Sequence, residues 1–347
     1  MILSITQLQI AKKLKISPTT VSRSLRDDPT IAEQTRELVR RSAVECGYRL
    51  PQRKSQYFKP SSTRESAIAV LLNTEGINPV HSTPALQCLA GLSETAQSRE
   101  VSLYVHMISG QQANELADVS RQPIEMRQQQ VEGLILLRSF EREVVAALNH
   151  QVPCVLIGHG DTRFPCDVVD ADTPMVLQEL VQHLYDLGHR RFGFVGQTHS
   201  YRHYRYAGFA QAMACHGILP KDAVTLNVFE RSQSPRDLVR QMLEHRDKGV
   251  TAWITSSNGD QLMRELIREG VRLPDDMSFA AVDAIATDAD YPRITTVRLP
   301  MKEIGKAALS QLRFRIAHRD EKPRHLFVRG DFHAGETTGP PPVNPHL

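Results

Sequence analysis

The chain has 347 residues, 41% of them hydrophobic and 23% charged. This is ordinary globular composition for two or three folding units, and it excludes collagen-like, mucin-like and wholly disordered chains. The formal charge of +3 is unevenly spread: residues 1–66 carry 13 Lys/Arg against 6 Asp/Glu, and the remainder carries 29 against 33. A basic head on a mildly acidic body suits a head that meets a polyanion, although a solvated basic face gives the same balance.

In chain order, Ile5, Leu8, Ala11 and Leu14 recur at helical spacing and predict a helix over Thr6–Leu14. Lys15-Ile16 forms the turn. Ser17 stands where an N-cap belongs, and Pro18 takes the first helical position, where its missing N–H costs nothing. The second helix runs over Pro18–Leu25, with Val21 and Leu25 inward and Pro18, Thr19, Ser22, Arg23 and Arg26 outward. Asp27-Asp28-Pro29 breaks it. Thr30 and Glu33 then read as a capping box for a third helix, which ends near Cys46-Gly47. Two short helices across a tight turn, the second with an exposed small-polar and arginine face, predict a helix-turn-helix suited to a major groove. There Thr19 and Ser22 reach base edges or phosphates and Arg23 forks onto a guanine. A plain three-helix bundle is the competing reading.

The run Ile16-Ser17-Pro18-Thr19-Thr20-Val21-Ser22-Arg23-Ser24-Leu25, followed by Thr35-Arg36 and Cys46-Gly47-Tyr48-Arg49, resembles the head of the lactose-repressor/galactose-repressor (LacI/GalR) family. The resemblance implies base-reading positions at Pro18, Thr19 and Arg23. It implies phosphate-contact or supporting positions at Thr6, Ser17, Thr20, Ser22 and Tyr48. The family's turn has Gly where Lys15 stands, and a left-handed Lys is strained, so the turn is expected to differ slightly. The family's minor-groove leucine falls on Tyr57, within the linker 51–65; an aromatic wedge or a passive basic linker both fit.

From residue 66 the pattern changes. Strand-like tracts at Ile68–Leu72, Val101–His106, Gly133–Leu137, Cys154–Gly158, Phe192–Gly196, Thr225–Phe229, Ala252–Thr255 and Phe279–Asp283 alternate with helix-like tracts. The helices fall at Pro84–Arg99, Ala113–Gln130, Pro174–Leu187, Tyr204–His216, Pro235–Glu244, Asp260–Glu269 and Met301–Ile316. Such alternation predicts parallel sheets in an α/β body, divided near residue 171 into two lobes, with late crossovers. The expected layout is a DNA-binding head over 1–50, the linker, an effector-binding and dimerisation body over 66–340, and a flexible tail over 341–347. Open parallel sheets bind ligands beyond the carboxyl ends of strands, which nominates Asn73-Thr74, Gly158-His159-Gly160-Asp161, Gly196–Ser200, Ser256–Asn258 and Asp283. Phe229 or Tyr204 are candidates to stack on a sugar ring.

The body resembles the same family's two-lobed, periplasmic-binding-protein-like domain at Gly188–Gly196, Arg205–Phe209, Gly270–Ser278, Thr295–Arg298 and Thr337–Pro340. By that resemblance Arg205, Asp283 and Asn258 fall on ligand positions. Asp and Asn with a planar Arg suit vicinal sugar hydroxyls, which both donate and accept. There is no phosphate loop, no GxGxxG, no HExxH and no GxSxG, so no enzyme, metal or cofactor is implied. No apolar run approaches the ~20 residues of a membrane helix. The absence of a signal-peptide pattern and five scattered cysteines without CxxC lead to an expected cytoplasmic location. The resulting reading is a dimeric regulator, by resemblance a repressor, on a pseudo-palindromic operator with a carbohydrate-like effector in the interlobe cleft. A regulator whose cleft has degenerated is the alternative.

Overall fold

The computed structural model describes residues 7–25, 28, 30–45, 66–77, 82–158, 164–196, 203–227, 234–284 and 290–342. The chain divides into two compact units, Met1–Arg64 and Glu65–Leu347.

In the first unit, helices α1 (Gln7–Leu14), α2 (Pro18–Leu25) and α3 (Glu33–Glu45) close over Ile10, Ala11, Val21, Val39 and Ala43. Ser24, rather than Leu25, is the second fully buried side chain of α2; Leu25 packs at the margin of this core. A small residue there lets α2 lie close to its neighbours. The turn after α1 does not depart from left-handed geometry: Lys15 adopts φ +54°, and Ile16 donates its N–H to the Ala11 carbonyl at 3.1 Å. That is the six-residue bond of a Schellman turn, held in spite of the about 1–2 kcal/mol that a side chain costs in this region. The Thr30–Glu33 capping box does not form. The first bonds of α3, from Thr35 and Arg36, reach Ala32, while the Thr30 hydroxyl donates to Asp28.

The second unit holds two six-stranded sheets. Lobe 1 contains β1 (Ser66–Asn73), β2 (Val101–Ile108), β3 (Gly133–Leu137), β4 (Cys154–Ile157), β5 (Asp167–Ala171) and β11 (His325–Val328), in the order β11-β5-β4-β3-β1-β2, with every pair parallel. Lobe 2 contains β6 (Phe192–Gly196), β7 (Val224–Asn227), β8 (Ala252–Thr255), β9 (Ser278–Val282), β10 (Thr295–Arg298) and β12 (Asp331–His333). Its order is β12-β10-β9-β8-β6-β7, and only β12 runs antiparallel. Continuous apolar runs such as Leu134–Leu137 in β3 become central strands because both faces are covered. Helices α4 (Thr83–Ser98) and α12 (Met301–Ala317) cover one face of the first sheet; α7 (Arg142–Gln151) and shorter pieces cover the other. In lobe 2, α8 (Thr173–Asp186) and α9 (His203–Cys215) face α10 (Pro235–Arg246) and α11 (Gly259–Arg268) across the sheet.

The single helix expected over Ala113–Gln130 is three pieces: α5 (Gly110–Glu115), a 3₁₀ turn at Val119–Arg121 and α6 (Ile124–Arg127). Asp118 caps the middle piece through the Ser120 N–H, and Pro123 bars continuation into α6. Strands β5, β10, β11 and β12 and helix α7 are additions to the expected set.

The chain crosses between lobes three times, after Ala171, after Arg298 and after Val328. The middle crossing returns α12 to lobe 1. Helices α4 and α12 meet backbone to backbone at Gly91 and Gly305, where a Cβ would strike the carbonyls of Lys302 and Cys88. At its far end α12 is fastened by a buried ion pair. Asp167, fully buried at the start of β5, accepts Arg315 Nε at 3.0 Å and Nη2 at 2.7 Å, Gln311 Nε2 at 2.6 Å and the Arg324 N–H at 2.8 Å. Arg315 also donates to the carbonyls of His318, Glu321 and Lys322, the turn that launches β11. Lobe 2 is closed by its own late segment. His189, buried, bonds Thr251, Ser278 and the Gly339 carbonyl, and burial holds its imidazole below the ordinary histidine value.

Removing one partner of the Asp167–Arg315 pair strands a buried charge. Arg315→Met is expected to lower stability by about 3–5 kcal/mol, and Asp167→Leu with Arg315→Met by less than the two single losses combined. Urea unfolding of the three variants checks both statements.

Candidate functional site

Two surfaces concentrate the sequence-predicted residues. On the head, Ser17 Oγ accepts the Thr20 N–H at 3.0 Å and lies 2.8 Å from the Thr20 hydroxyl, which fixes the start of α2. Pro18, Thr19 and Arg23 are exposed, and Thr20 and Ser22 are half-buried, so one turn of α2 presents hydroxyls and a guanidinium outward. Thr6, Arg26, Tyr48 and Tyr57 lie outside the described residues.

In the body, a cavity of about 370 Å³ opens between the lobes at the carboxyl ends of the strands. Lobe 1 contributes Arg138 and Ser139 after β3, Gly158 after β4 and Asp170 near the end of β5; lobe 2 contributes Tyr204 and Arg205 from α9, Ser257 and Asn258 after β8, and Asp283 after β9. The crossovers supply Thr173, Leu299 and Met301. Four lining residues lie in the left-handed region: Arg138 at φ +78°, Gly158 at +78°, Asn258 at +56° and Asp283 at +56°. Three of them directly follow the last residue of a strand. A left-handed residue there turns the chain sharply and delivers its neighbours to the mouth of the sheet. Non-glycine residues in this conformation are uncommon and mark sites where the surroundings enforce them.

Asp283 is held by two strands' worth of backbone. Its N–H reaches the Val297 carbonyl at 2.9 Å, and its Oδ1 accepts the Leu299 N–H at 3.1 Å, at the middle crossover. Burial raises its carboxyl above the usual aspartate range; the Leu299 N–H and then the Arg205 and Arg298 charges pull the other way. Arg205 Nη1 donates to the Ser256 carbonyl, which sets the guanidinium beside the β8 loop. Asn258 begins α11 without a side-chain cap bond and lines the cavity. Arg205, Asn258, Asp283 and Tyr204 are thus brought to one cavity.

Asn73 is not part of it. The residue is buried, its Nδ2 donates to the Ser139 carbonyl at 2.6 Å and its Oδ1 accepts the Glu75 N–H at 2.9 Å. It holds the β1 and β3 loops together instead. Its carbonyl and that of Glu75 receive Arg138 Nη1 at 3.2 and 3.1 Å. His159 and Phe229 lie outside the described residues. Arg138 and Asp170 were missed from sequence. Arg138 follows a predicted strand directly, a position the strand-end rule covers; Asp170 was hidden because β5 was not recognised. Among the described residues no group of three His, Cys, Asp or Glu side chains is placed to hold a metal, and no helix is long and apolar enough to cross a membrane.

Two opposed parallel-sheet lobes with a polar cavity between them define a two-lobed binding-protein body, here carrying a helical head. Residues 181–338 match the family model for a periplasmic binding protein-like domain. The chain is 25% identical over 312 residues to the HTH-type transcriptional repressor CytR of Escherichia coli (strain K12), covering 88% of this chain and 87% of that protein. It is 25% identical over 342 residues to the HTH-type transcriptional repressor PurR of Klebsiella pneumoniae, covering 92% of each. Among solved structures, the fold is similar to a transcriptional regulator CelR–cellobiose complex (TM-score 0.62, 21% identity, 96% of this chain and 99% of that one). It is similar to the lac repressor dimer bound to operator and the anti-inducer ONPF (TM-score 0.62, 20% identity, 97% and 99%). Over most of its length the chain is thus similar to HTH-type transcriptional repressors, and its body to a periplasmic binding protein-like domain.

The partly buried charge of Asp283 opposes folding. A carboxyl whose folded pKa is raised costs stability above that pKa, and the cost disappears as pH falls through it. Asp283→Asn keeps the acceptor for Leu299 and removes the charge. It is expected to raise the melting temperature at neutral pH by about 2–4 °C, the effect of roughly 1 kcal/mol in a domain of this size. The gain should vanish under acid conditions; thermal unfolding followed against pH checks it.

Proposed function

We propose that the protein is a ligand-responsive repressor that binds a pseudo-palindromic DNA operator as a homodimer, with a small carbohydrate-like effector in the interlobe cavity, and that it works in the cytoplasm. The observation that carries the reading is α2: a capped, eight-residue helix with Val21 and Ser24 buried and Pro18, Thr19 and Arg23 exposed in a basic head. An α-helix presented in this way fits the major groove, where Arg forks onto guanine and short hydroxyls reach bases or phosphates. One head reads one half-site, so a two-fold pair of chains reads a two-fold site. The names of the relatives, HTH-type transcriptional repressors, support repression, and a similar structure holds operator DNA.

The cavity supports the effector. Its size suits a small molecule, and Asp283, Asp170, Arg205, Arg138 and Asn258 with several hydroxyls suit a ligand dense in paired donors and acceptors. Similar structures are described with cellobiose, ribose and sucrose. A ligand that binds one arrangement of the lobes more tightly shifts the population toward it, and operator affinity follows by linkage.

Selection from random duplex DNA at moderate, fixed salt tests the DNA half, since salt alone creates or erases apparent binding. A two-fold symmetric site is expected; sequence-independent binding would remove the reading. On that site Arg23→Ala should cost about 1–3 kcal/mol and relax one base position, with little change on random DNA. Calorimetric titration of a sugar panel tests the cavity. One saccharide should bind, and Arg205→Ala should weaken it at least about tenfold through loss of a charged hydrogen bond. Failure of every sugar would favour a cleft that answers no carbohydrate.

A further inference from the structure

The head contains an acidic side chain on the very helix-loop that is to face DNA. Asp28 Oδ2 accepts Arg23 Nε at 2.7 Å, and its Oδ1 accepts the Thr30 N–H at 2.9 Å and the Thr30 hydroxyl at 2.6 Å. The Thr30 hydroxyl in turn accepts Arg23 Nη2 at 2.9 Å. Arg23, Asp28 and Thr30 therefore form a closed ring of hydrogen bonds. The ring is itself anchored: the Asp28 N–H reaches the Arg23 carbonyl at 3.0 Å, closing the end of α2, and the Asp28 carbonyl receives Arg36 Nη1 from α3 at 3.4 Å.

Stability alone does not account for such a ring. The Arg23 side chain is 47% exposed and Asp28 25%, and exposed ion pairs contribute little to folding. A carboxylate beside phosphates also repels DNA. What the ring does is geometric. A guanidinium has five N–H donors in a fixed plane, and the bonds to Asp28 and Thr30 occupy its Nε–Nη2 edge. The opposite Nη1–Nη2 end is the pair that meets guanine O6 and N7 side by side. An unrestrained arginine sweeps many rotamers and pairs with phosphate as readily as with a base. One clamped along its inner edge has lost that freedom before DNA arrives.

We propose that Asp28 and Thr30 are specificity-determining positioning residues: they touch no base, but they buttress Arg23 so that it presents its Nη1–Nη2 end to a single guanine and is kept off neighbouring phosphates. The proposal rests on the DNA-binding reading of α2. The hydrogen bonds from Thr30 and Arg23 also hold the Asp28 carboxyl well below the ordinary aspartate range, so the buttress is intact throughout the working pH range.

The test uses the full-length chain, its selected site, and the three other base pairs at the position that Arg23→Ala relaxes. Asp28→Ala is expected to keep affinity for the best site within about threefold while tightening binding to the other three, so that preference at that position falls at least about fivefold. Thr30→Val should lose preference in the same way, and Thr30→Ser should restore it. Melting curves of each variant control for folding of the head. A uniform loss across all four base pairs with a lowered melting temperature would make the ring a structural cap and overturn the proposal. Sharper preference in Asp28→Ala would overturn it too, because Asp28 would then be sequestering Arg23. If Arg23→Ala relaxes no position, the reading of α2 fails; if it relaxes one and Asp28→Ala does not, only the buttress fails.

Discussion

The carboxylate of Asp167 is the constraint around which the body is arranged. It is fully buried at the start of β5 and takes donors from α12 and from the residue just before β11. Lobe 1 is thereby assembled from two stretches of chain separated by most of lobe 2. Arg315 uses every edge of its guanidinium, half on the carboxylate and half on the carbonyls of the turn beyond α12. An apolar pair would fill the space but would not specify where the turn goes. The ion pair carries direction as well as attraction, and direction is what returns the chain to the edge of β5. Because α12 is locked at one end by this pair and at the other by glycine contacts with α4, the crossover between β10 and α12 is held at both sides.

That crossover leads into the cavity. Leu299 lies on it, and its N–H is the group that Asp283 accepts. Asp283 is therefore tied at once to lobe 2 through Val297 and to the connection between lobes. A ligand that draws on the free side of the carboxylate acts on the segment linking the two sheets. The left-handed turns at Arg138, Asn258 and Asp283 belong to the same design: backbone strain is tolerated where loops must reach back over the ends of their own strands.

Most of this architecture was legible where one signal dominated. Strands β3, β6 and β8 begin and end where the apolar run does, since a central parallel strand is buried on both faces. The cap written in Ser17-Pro18 marked the start of α2. Legibility failed where length or charge hid the pattern. Strand β5 reads Asp-Val-Val-Asp-Ala, its charged ends belonging to a buried network and to the cavity; β12 is three exposed residues. Helix formers between Ala113 and Gln130 outvoted Asp118 and Pro123. At the site, strand-end position nominated Asp283 and Asn258, which line the cavity, but position says nothing of side-chain direction. Asn73 stands at a strand end and turns inward to brace the loop of β3. Lys15 likewise keeps the left-handed turn usually given to glycine, because Ile16 is drawn into the head's core.

The three crossovers carry a consequence for how the chain is made. Earlier segments leave the ribosome first, and a domain begins to fold when its segments have emerged. The head needs only its first 45 or so residues, all contiguous. Neither lobe has that advantage. Lobe 1 lacks its edge strand until His325–Val328 emerges, and the buried carboxylate of Asp167 waits about 150 residues for its guanidinium. Lobe 2 waits longer still, for Thr337 and Gly339 to close over Phe279 and His189. Until segment 325–339 emerges, the body thus consists of two open sheets whose last pieces arrive almost together. The two lobes are completed together, once segment 325–339 has emerged.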